Sequence, residues 1–146
     1  MDILTRQERS ERMSLIRGKN TAPEMVVRRL VHKLGFRYRL HTKKLPGRPD
    51  LSFRSRRKVI FVHGCFWHRH PSPLCKLARM PKSNLDFWKP KLEATYARDQ
   101  KTLAKLAKLN WAVMIVWECE LKDRAELEQR LIAFLEGNNA RSTRLA

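Results

Sequence analysis

The segment from Phe61 to Cys75 constrains the fold of this chain most strongly, because it places three histidines and two cysteines within fifteen residues. Cys65, His70 and Cys75 are each separated by four residues, and Cys119 lies far along the sequence. Three thiols and one imidazole are the soft tetrahedral donors that zinc takes in structural sites, which leave no position open for a substrate. The set predicts a structural zinc ion that ties the loop after one strand to the end of another. The alternative is that the cysteines are small buried hydrophobic residues and that His70 is only a basic side chain.

The charge of the chain points to a polyanionic partner. Lysine and arginine number 32 against 14 acidic residues, which gives a net charge of +18. A small soluble domain usually carries a net charge of about 2 to 8, so a solvated surface alone does not account for this excess. Nucleic acid is the expected partner. No apolar run approaches the roughly 20 residues of a membrane span, and the first residues contain no apolar signal core, so we expect a cytoplasmic protein on nucleoid DNA.

Caps and apolar spacing predict three helices. Thr21 is the expected N-cap of the first helix and Gly35 its stop, while Ser83 and Asp123 are the expected caps of the second and third. Each helix has apolar residues at helical spacing. The helices are predicted to cover residues 22–34, from 83 to 109, and from 123 to 137.

Four strands are predicted between these helices. Phe36, Tyr38 and Leu40 alternate with polar residues, and two further strands, at 50–53 and 58–62, resemble a hairpin. The continuous apolar run at 111–117 is typical of a central strand covered on both faces. This order of elements predicts one α/β domain at residues 19–137, with a sheet sandwiched by helices. A short N-terminal helix is expected within residues 1–18 and a disordered tail at 138–146.

Asp50 and the nearby histidines are the candidate catalytic residues. Phosphodiester cleavage needs a hard cation and a group that takes a proton from water. Asp50 supplies a hard ligand, and the backbone carbonyl of Val62 is a second candidate, while His63 and His68 titrate near neutrality. A hairpin centred between residues 56 and 57 would place Asp50 opposite His63. The alternative is that both histidines are structural or are outer zinc ligands.

The motifs of the chain resemble a known family. Asp50 follows Leu45-Pro-Gly-Arg-Pro, and the run from Val59 to His68 reads Val-Ile-Phe-Val-His-Gly-Cys-Phe-Trp-His. With Asp-Phe-Trp at 86–88 and Val-Trp-Glu-Cys at 116–119, these segments are similar in order to the very short patch repair (Vsr) endonucleases. The Pro-Asp pair also resembles the first half of the sequence motif of restriction-type nucleases. The second half of that motif is altered in this chain.

The resemblance implies a fold, an activity and a set of site residues. The fold would be restriction-endonuclease-like (PD-(D/E)xK type), with three α/β/α layers, a central mixed sheet and a structural zinc ion. The enzyme would use magnesium to nick mismatched double-stranded DNA on the 5′ side of the thymine in a T:G mismatch left by 5-methylcytosine deamination. It would act as a monomer, followed by downstream repair proteins.

Individual roles follow from the same resemblance. Asp50 and the Val62 carbonyl would hold magnesium, Glu24 would hold magnesium-bound water, and His63 and His68 would lie at the scissile phosphate. The zinc ligands would be Cys65, His70, Cys75 and Cys119. The residues that contact DNA would be the major-groove wedge of Phe66, Trp67 and Trp88, and the minor-groove pair of Met13 and Ile16.

Two alternatives to this function stay open. The chain could be a metal-dependent nuclease of the same fold that acts on another mismatch, modified base or sequence context. It could instead be a zinc-stabilised DNA-binding module without activity. Asp50 together with the two histidines argues against the second alternative, because a binding module has no need of them.

Overall fold

The computed structural model describes residues 21–137, which form three helices and a four-stranded sheet. The strand order is β1-β2-β3-β4, in which β1–β2 and β2–β3 are antiparallel and β3–β4 is parallel. The sheet is therefore mixed, and the predicted α/β class is confirmed. The elements are α1 (Ala22–Lys33), β1 (Arg39–Leu40), β2 (Leu51–Phe53), β3 (Lys58–His63), α2 (Leu85–Lys108), β4 (Ala112–Trp117) and α3 (Arg124–Glu136).

Helices cover both faces of the sheet. Side chains alternate along a strand, so successive residues of β3 and β4 face opposite layers. Ile60 and Met114 pack in one cluster with residues of α1 and α3, whereas Val59 and Val113 pack in another with Leu106 of α2. The result is three layers, with α1 and α3 on one side and α2 on the other.

The helix boundaries follow from local signals at two of the three helices. Thr21 caps α1 by accepting a hydrogen bond from the Glu24 amide at 3.3 Å, and Gly35 follows the helix with a φ of 90° that few other residues adopt. Asp123 caps α3 in the same way, at 3.1 Å from the Glu126 amide. The predicted cap of α2 is wrong, because Asn84 rather than Ser83 precedes its first turn and makes no side-chain capping bond.

The predicted hairpin register is wrong by two residues. Phe53 pairs with Lys58 and Leu51 with Ile60, so the ladder, extended by one residue, brings Asp50 alongside Phe61 rather than His63. The physical reason is the turn: the 3-10 turn at Arg54–Arg56 and the left-handed Arg57 after it make a four-residue connection, which is centred between residues 55 and 56, one residue earlier than expected. A shift of two residues keeps every side chain on its predicted face.

Two other strand predictions need correction. The strand expected at 36–40 contains only Arg39 and Leu40, and both are exposed. The 111–117 run forms β4, which is buried along its whole length but is last in the strand order of the described chain. Burial on both faces by α2 and by α1 with α3 explains the apolar run without a central position.

Some predictions fall on residues that the structure does not describe. The N-terminal helix expected within residues 1–18, with Met13 and Ile16, and the tail at 138–146 lie outside residues 21–137. No helix between residues 21 and 137 is both long and apolar enough to span a membrane.

Candidate active site

A cleft of about 830 Å³ opens where the loop before β2, the end of β3 and the middle of α2 meet. Chemically active side chains from all three regions share this space. Asp50 comes from the loop, His63 from β3, His68 from the loop that follows β3, and Asp99 from α2. The other lining residues are His41, Lys43, Gly47, Arg48, Phe61, Val62, Arg98 and Thr102.

Two carboxylates and an imidazole form the first group at this cleft, which His41 and Asp50 line and behind which Glu24 is buried. Glu24, Asp50 and His41 each offer a ligand atom within 4.8 Å of the others. Glu24 is almost fully buried, and its Oε2 lies 2.8 Å from Nε2 of His41 and 3.3 Å from the guanidinium of Arg28. Its carboxylate is therefore held in place by two basic side chains, next to Asp50.

The surroundings of Asp50 hold its carboxyl group partly protonated. Burial raises the pKa of Asp50 to about 7, although its Oδ2 accepts a hydrogen bond from the Val62 amide at 2.7 Å, which opposes the shift. Part of this increase in pKa comes from the nearby Glu24 carboxylate, while His68 acts in the opposite direction. Like charges at this spacing favour a bound cation, which would let both groups ionise.

Two histidines and a second aspartate form the other group. The rings of His63 and His68 stack with their centroids 3.8 Å apart and their planes at 8°. Nδ1 of His68 lies 2.6 Å from Oδ2 of Asp99. A carboxylate only accepts hydrogen bonds, so Nδ1 of His68 carries the proton and Nε2 of the neutral ring keeps a lone pair.

His63 differs from His68 in its electrostatics. Burial, with a smaller contribution from the neighbouring His68, lowers the pKa of His63 to about 3. The expectation that this histidine titrates near neutrality is therefore wrong, and its ring is neutral near neutral pH. Its Nδ1 is buried and has no hydrogen-bond partner within residues 21–137. Of the two histidines, His68 is therefore the one placed to take a proton.

The four predicted zinc ligands come together beside the cleft. Ligand atoms of Cys65, His70, Cys75 and Cys119 all lie within 4.8 Å of one another. Sγ of Cys119 is 3.5 Å from Nδ1 of His70, and the Cys119 amide is 3.4 Å from Sγ of Cys65. Burial raises the pKa of the Cys65 thiol to about 12, so the cluster gains from a soft cation that binds the thiolates. The donor set fits a closed tetrahedral site.

The predicted aromatic wedge forms one cluster next to the same loop. Phe66, Trp67 and Trp88 contact one another edge to face, with ring centroids 5.3 to 5.7 Å apart. Phe87 joins the cluster through Trp88 at 4.9 Å and is half exposed. Trp117, which was assigned to the core, is buried, and its ring stacks on His70 with centroids 4.3 Å apart.

Sequence reasoning missed three residues of this region, namely His41, Phe87 and Asp99. His41 precedes the Pro-Gly turn, and Phe87 is next to a wedge residue. Their positions close to predicted site residues could therefore have identified them. Asp99 carried none, since a single acid in a charged helix is usually solvent-exposed. The missing information is the face of α2 that packs on the sheet, which depends on tertiary contacts.

A mixed sheet between helices, with carboxylates and histidines in one cleft of a strongly basic chain, is an arrangement that suits a nuclease. Comparison with known proteins narrows this class. The model of the family DNA mismatch endonuclease Vsr matches residues 1–73. The chain is 38% identical over 126 residues to the DNA mismatch endonuclease Vsr of Escherichia coli K12, covering 86% of this chain and 79% of the relative.

Other relatives are described as nicking enzymes. The type II nicking enzyme V.XorIIP of Xanthomonas oryzae pv. oryzae is 52% identical over 135 residues, covering 92% of this chain and 97% of the relative. The type II nicking enzyme V.NmeAIP of Neisseria meningitidis is 42% identical over 130 residues, covering 89% and 91%. The chain belongs to the Vsr family of DNA mismatch endonucleases, as its motifs indicated.

Proposed function

We propose that this protein nicks one strand of duplex DNA on the 5′ side of the thymine in a T:G mismatch, with magnesium as its cofactor. Membership of a mismatch endonuclease family supports a DNA-cutting enzyme. The observation that carries the proposal is the sharing of one cleft by Asp50, His63, His68 and Asp99. Such a cleft combines hard ligands for a cation with a base for water.

The proposed magnesium site is the carboxylate group. Asp50 and the Val62 carbonyl would hold the ion directly, and Glu24 would hold a water molecule bound to it. The fit rests on two buried hard oxygen donors whose mutual repulsion a divalent cation would relieve. When bound, magnesium polarises the scissile phosphate and offsets the negative charge that develops during cleavage.

The proposed base is His68. Asp99 accepts a hydrogen bond from Nδ1–H of His68, which leaves Nε2 free to take a proton from the attacking water. Neutral His63 keeps the ring of His68 in plane by stacking and presents an uncharged imidazole to the phosphate. This division supports His68 rather than His63 as the base.

The remaining site residues are proposed to hold the loop and the DNA. Zinc bound by Cys65, His70, Cys75 and Cys119 would keep the loop after β3 rigid. Phe66, Trp67 and Trp88 would insert beside the mismatch from the major groove, with Met13 and Ile16 of the N-terminal region approaching from the minor groove. Unstacking a base step costs a few kcal/mol, and a wobble pair lowers that cost, so deformability contributes to selection of the mismatch.

The experiment that tests this function is a nicking assay. We expect the protein with magnesium to nick the thymine strand of a T:G duplex and to leave the matching C:G duplex intact. Asp50→Ala should abolish nicking while mismatch binding persists, because the basic surface and the wedge are unchanged. Nicking at the wild-type rate by Asp50→Ala would refute the magnesium ligand.

Other outcomes would favour the alternatives. Equal cutting of both duplexes, or cutting only of another lesion, would indicate a nuclease of the same fold with a different substrate. Binding without cutting of any lesion would indicate a DNA-binding module. Sedimentation of the protein–DNA complex would report whether the active species is a monomer.

A further inference from the structure

One side of α2 carries a row of basic residues. Arg98, Lys101, Lys105 and Lys108 are spaced by three, four and three residues, which places them on the same side of a helix with 3.6 residues per turn. All four are exposed. We call these four residues the basic stripe.

The stripe lacks the compensating acids that a solvated helix face usually has. None of the four residues has an acidic residue three or four positions away, and none is in an ion pair with an acid of residues 21–137. The one acidic residue of the segment 98–108, Asp99, bonds His68 instead. Like charges three or four residues apart destabilise a helix, so the stripe opposes the stability of α2.

The last helix shows the opposite pattern in the same chain. Its exposed and half-exposed charges are of both signs, and Arg130 pairs with Glu120 of the preceding 3-10 turn. The charged residues of α3 are Arg124, Glu126, Glu128, Arg130 and Glu136. A row of basic residues without compensating acids is therefore a property of this side of α2 and not of every helix in this strongly basic protein.

The stripe begins in the cleft and leads away from it. Arg98 lines the cleft together with Asp99 and Thr102, and the three lysines follow toward the C-terminal end of α2. Ten residues separate Arg98 from Lys108, about 15 Å along a helix axis. One strand of duplex DNA carries a phosphate about every 3.4 Å, so the stripe has about as many positive charges as the phosphates it spans.

The aromatic cluster lies at the other end of the same helix. Trp88 is ten residues before Arg98, again about 15 Å away. The mismatch would thus lie beside the first turns of α2 and the scissile phosphate beside its middle. We propose that the basic stripe binds the sugar-phosphate backbone of the duplex on the side of the nick away from the mismatch. This inference rests on the proposed function, which places the DNA in the cleft.

The test compares two triple variants that lose the same charge. Lys101→Gln/Lys105→Gln/Lys108→Gln removes the lysines of the stripe and keeps residues that suit a helix. Lys33→Gln/Arg37→Gln/Lys122→Gln removes three exposed charges from the region of α1 and α3, on the other side of the sheet. Binding of a T:G duplex is measured without magnesium at several salt concentrations, and the nicking rate is measured with magnesium at saturating protein.

We expect the stripe variant to bind the T:G duplex at least about tenfold more weakly than the wild type at about 0.1 M salt. The magnitude of the slope of log K against log salt should fall by about 2.7, which corresponds to the loss of three phosphate contacts. The control variant should keep a slope close to that of the wild type. A duplex truncated just beyond the nick, on the side away from the mismatch, should be bound equally by the wild type and the stripe variant. The nicking rate of the bound full duplex should be unchanged.

Equal slopes for the two triple variants would overturn the proposal, because the stripe would then be an ordinary solvated surface. An equal loss on the truncated duplex would overturn the placement away from the mismatch. Failure of the wild-type protein to nick the T:G duplex would instead refute the proposed function, and binding without magnesium reports on the stripe independently of cleavage.

Discussion

Nδ1 of His68 lies 2.6 Å from Oδ2 of Asp99, which joins the loop after β3 to the middle of α2. The bond sets the tautomer of His68, and the parallel ring of His63 sets its plane. An imidazole held in this way would lose little entropy if it acts as the proposed base. The hydrogen bond also holds the middle of α2 next to the loop after β3.

Asp99→Asn should lower the single-turnover nicking rate by about 10²- to 10⁴-fold, the usual contribution of a positioned base. The amide can donate to His68, which favours the wrong tautomer. DNA affinity should stay within about twofold of the wild type, since only one solvent-shielded group changes. Glu93→Gln on the exposed side of the same helix is the control and should leave the rate unchanged. A wild-type rate for Asp99→Asn would show that His68 needs no partner.

Asp50→Asn should stabilise the metal-free protein at pH 8. Burial raises the pKa of Asp50 from 3.8 to about 7, so between these values the folded state keeps a proton that the unfolded state has released. Stability then falls as the pH rises from about 4 to 7, and the loss persists above 7. Ionising the buried carboxyl group of Asp50 costs about 1–3 kcal/mol of folding stability, and the neutral amide of asparagine avoids this cost.

The measurement is the free energy of unfolding in urea at pH 4, 6 and 8. The advantage of Asp50→Asn should be absent near pH 4 and largest at pH 8. Magnesium at pH 8 should stabilise the wild type more than the variant, because a ligand stabilises the state that binds it. A variant that is less stable than the wild type at pH 8 would contradict the assignment of a strained carboxylate.

The purified protein should contain one zinc ion per chain. Cys119→Ser should unfold the loop after β3 and lower the melting temperature, instead of lowering only the nicking rate, because the metal ligands are the main cohesion of that loop. Near-UV circular dichroism and metal analysis check both points. Ser72→Ala, in the same loop, should keep its zinc. A folded wild-type protein free of metal would refute the zinc site.

Gly47→Ala should be more harmful than Gly35→Ala, although both glycines have positive φ values, of 75° and 90°. A Cβ at position 47 would lie 2.4 Å from Cγ2 of Thr102 and 3.3 Å from Phe61, whereas a Cβ at position 35 meets nothing within 4 Å. We expect a loss of about 1 kcal/mol of stability for Gly35→Ala and about 2–4 kcal/mol for Gly47→Ala.

Nicking should fall only for Gly47→Ala, because the clash pushes the loop before Asp50 away from α2. Thr102→Ser removes the closest clashing atom and should restore part of the stability of Gly47→Ala. Equal losses for the two alanine variants would mean that backbone strain alone sets the cost and that the contact with Thr102 is unimportant.

The sequence by itself determined the features that depend on local chemistry. Thr21 and Asp123 cap their helices as predicted, since a capping bond joins residues three positions apart. The class of fold followed from the order of helical and extended patterns. The Cys and His residues identified their own cluster, because few other roles require that combination of donors.

Only the tertiary structure decided which distant groups meet in the cleft. Asp99 gained its role from the packing of α2 on the sheet, and His41 from a left-handed turn that brings it to Glu24. The pairing of β2 with β3 depended on the shape of a three-residue turn, which shifted Asp50 by two positions. Helix caps and strand patterns are read over a few residues, whereas packing and register depend on contacts between segments whose sequences carry no common signal.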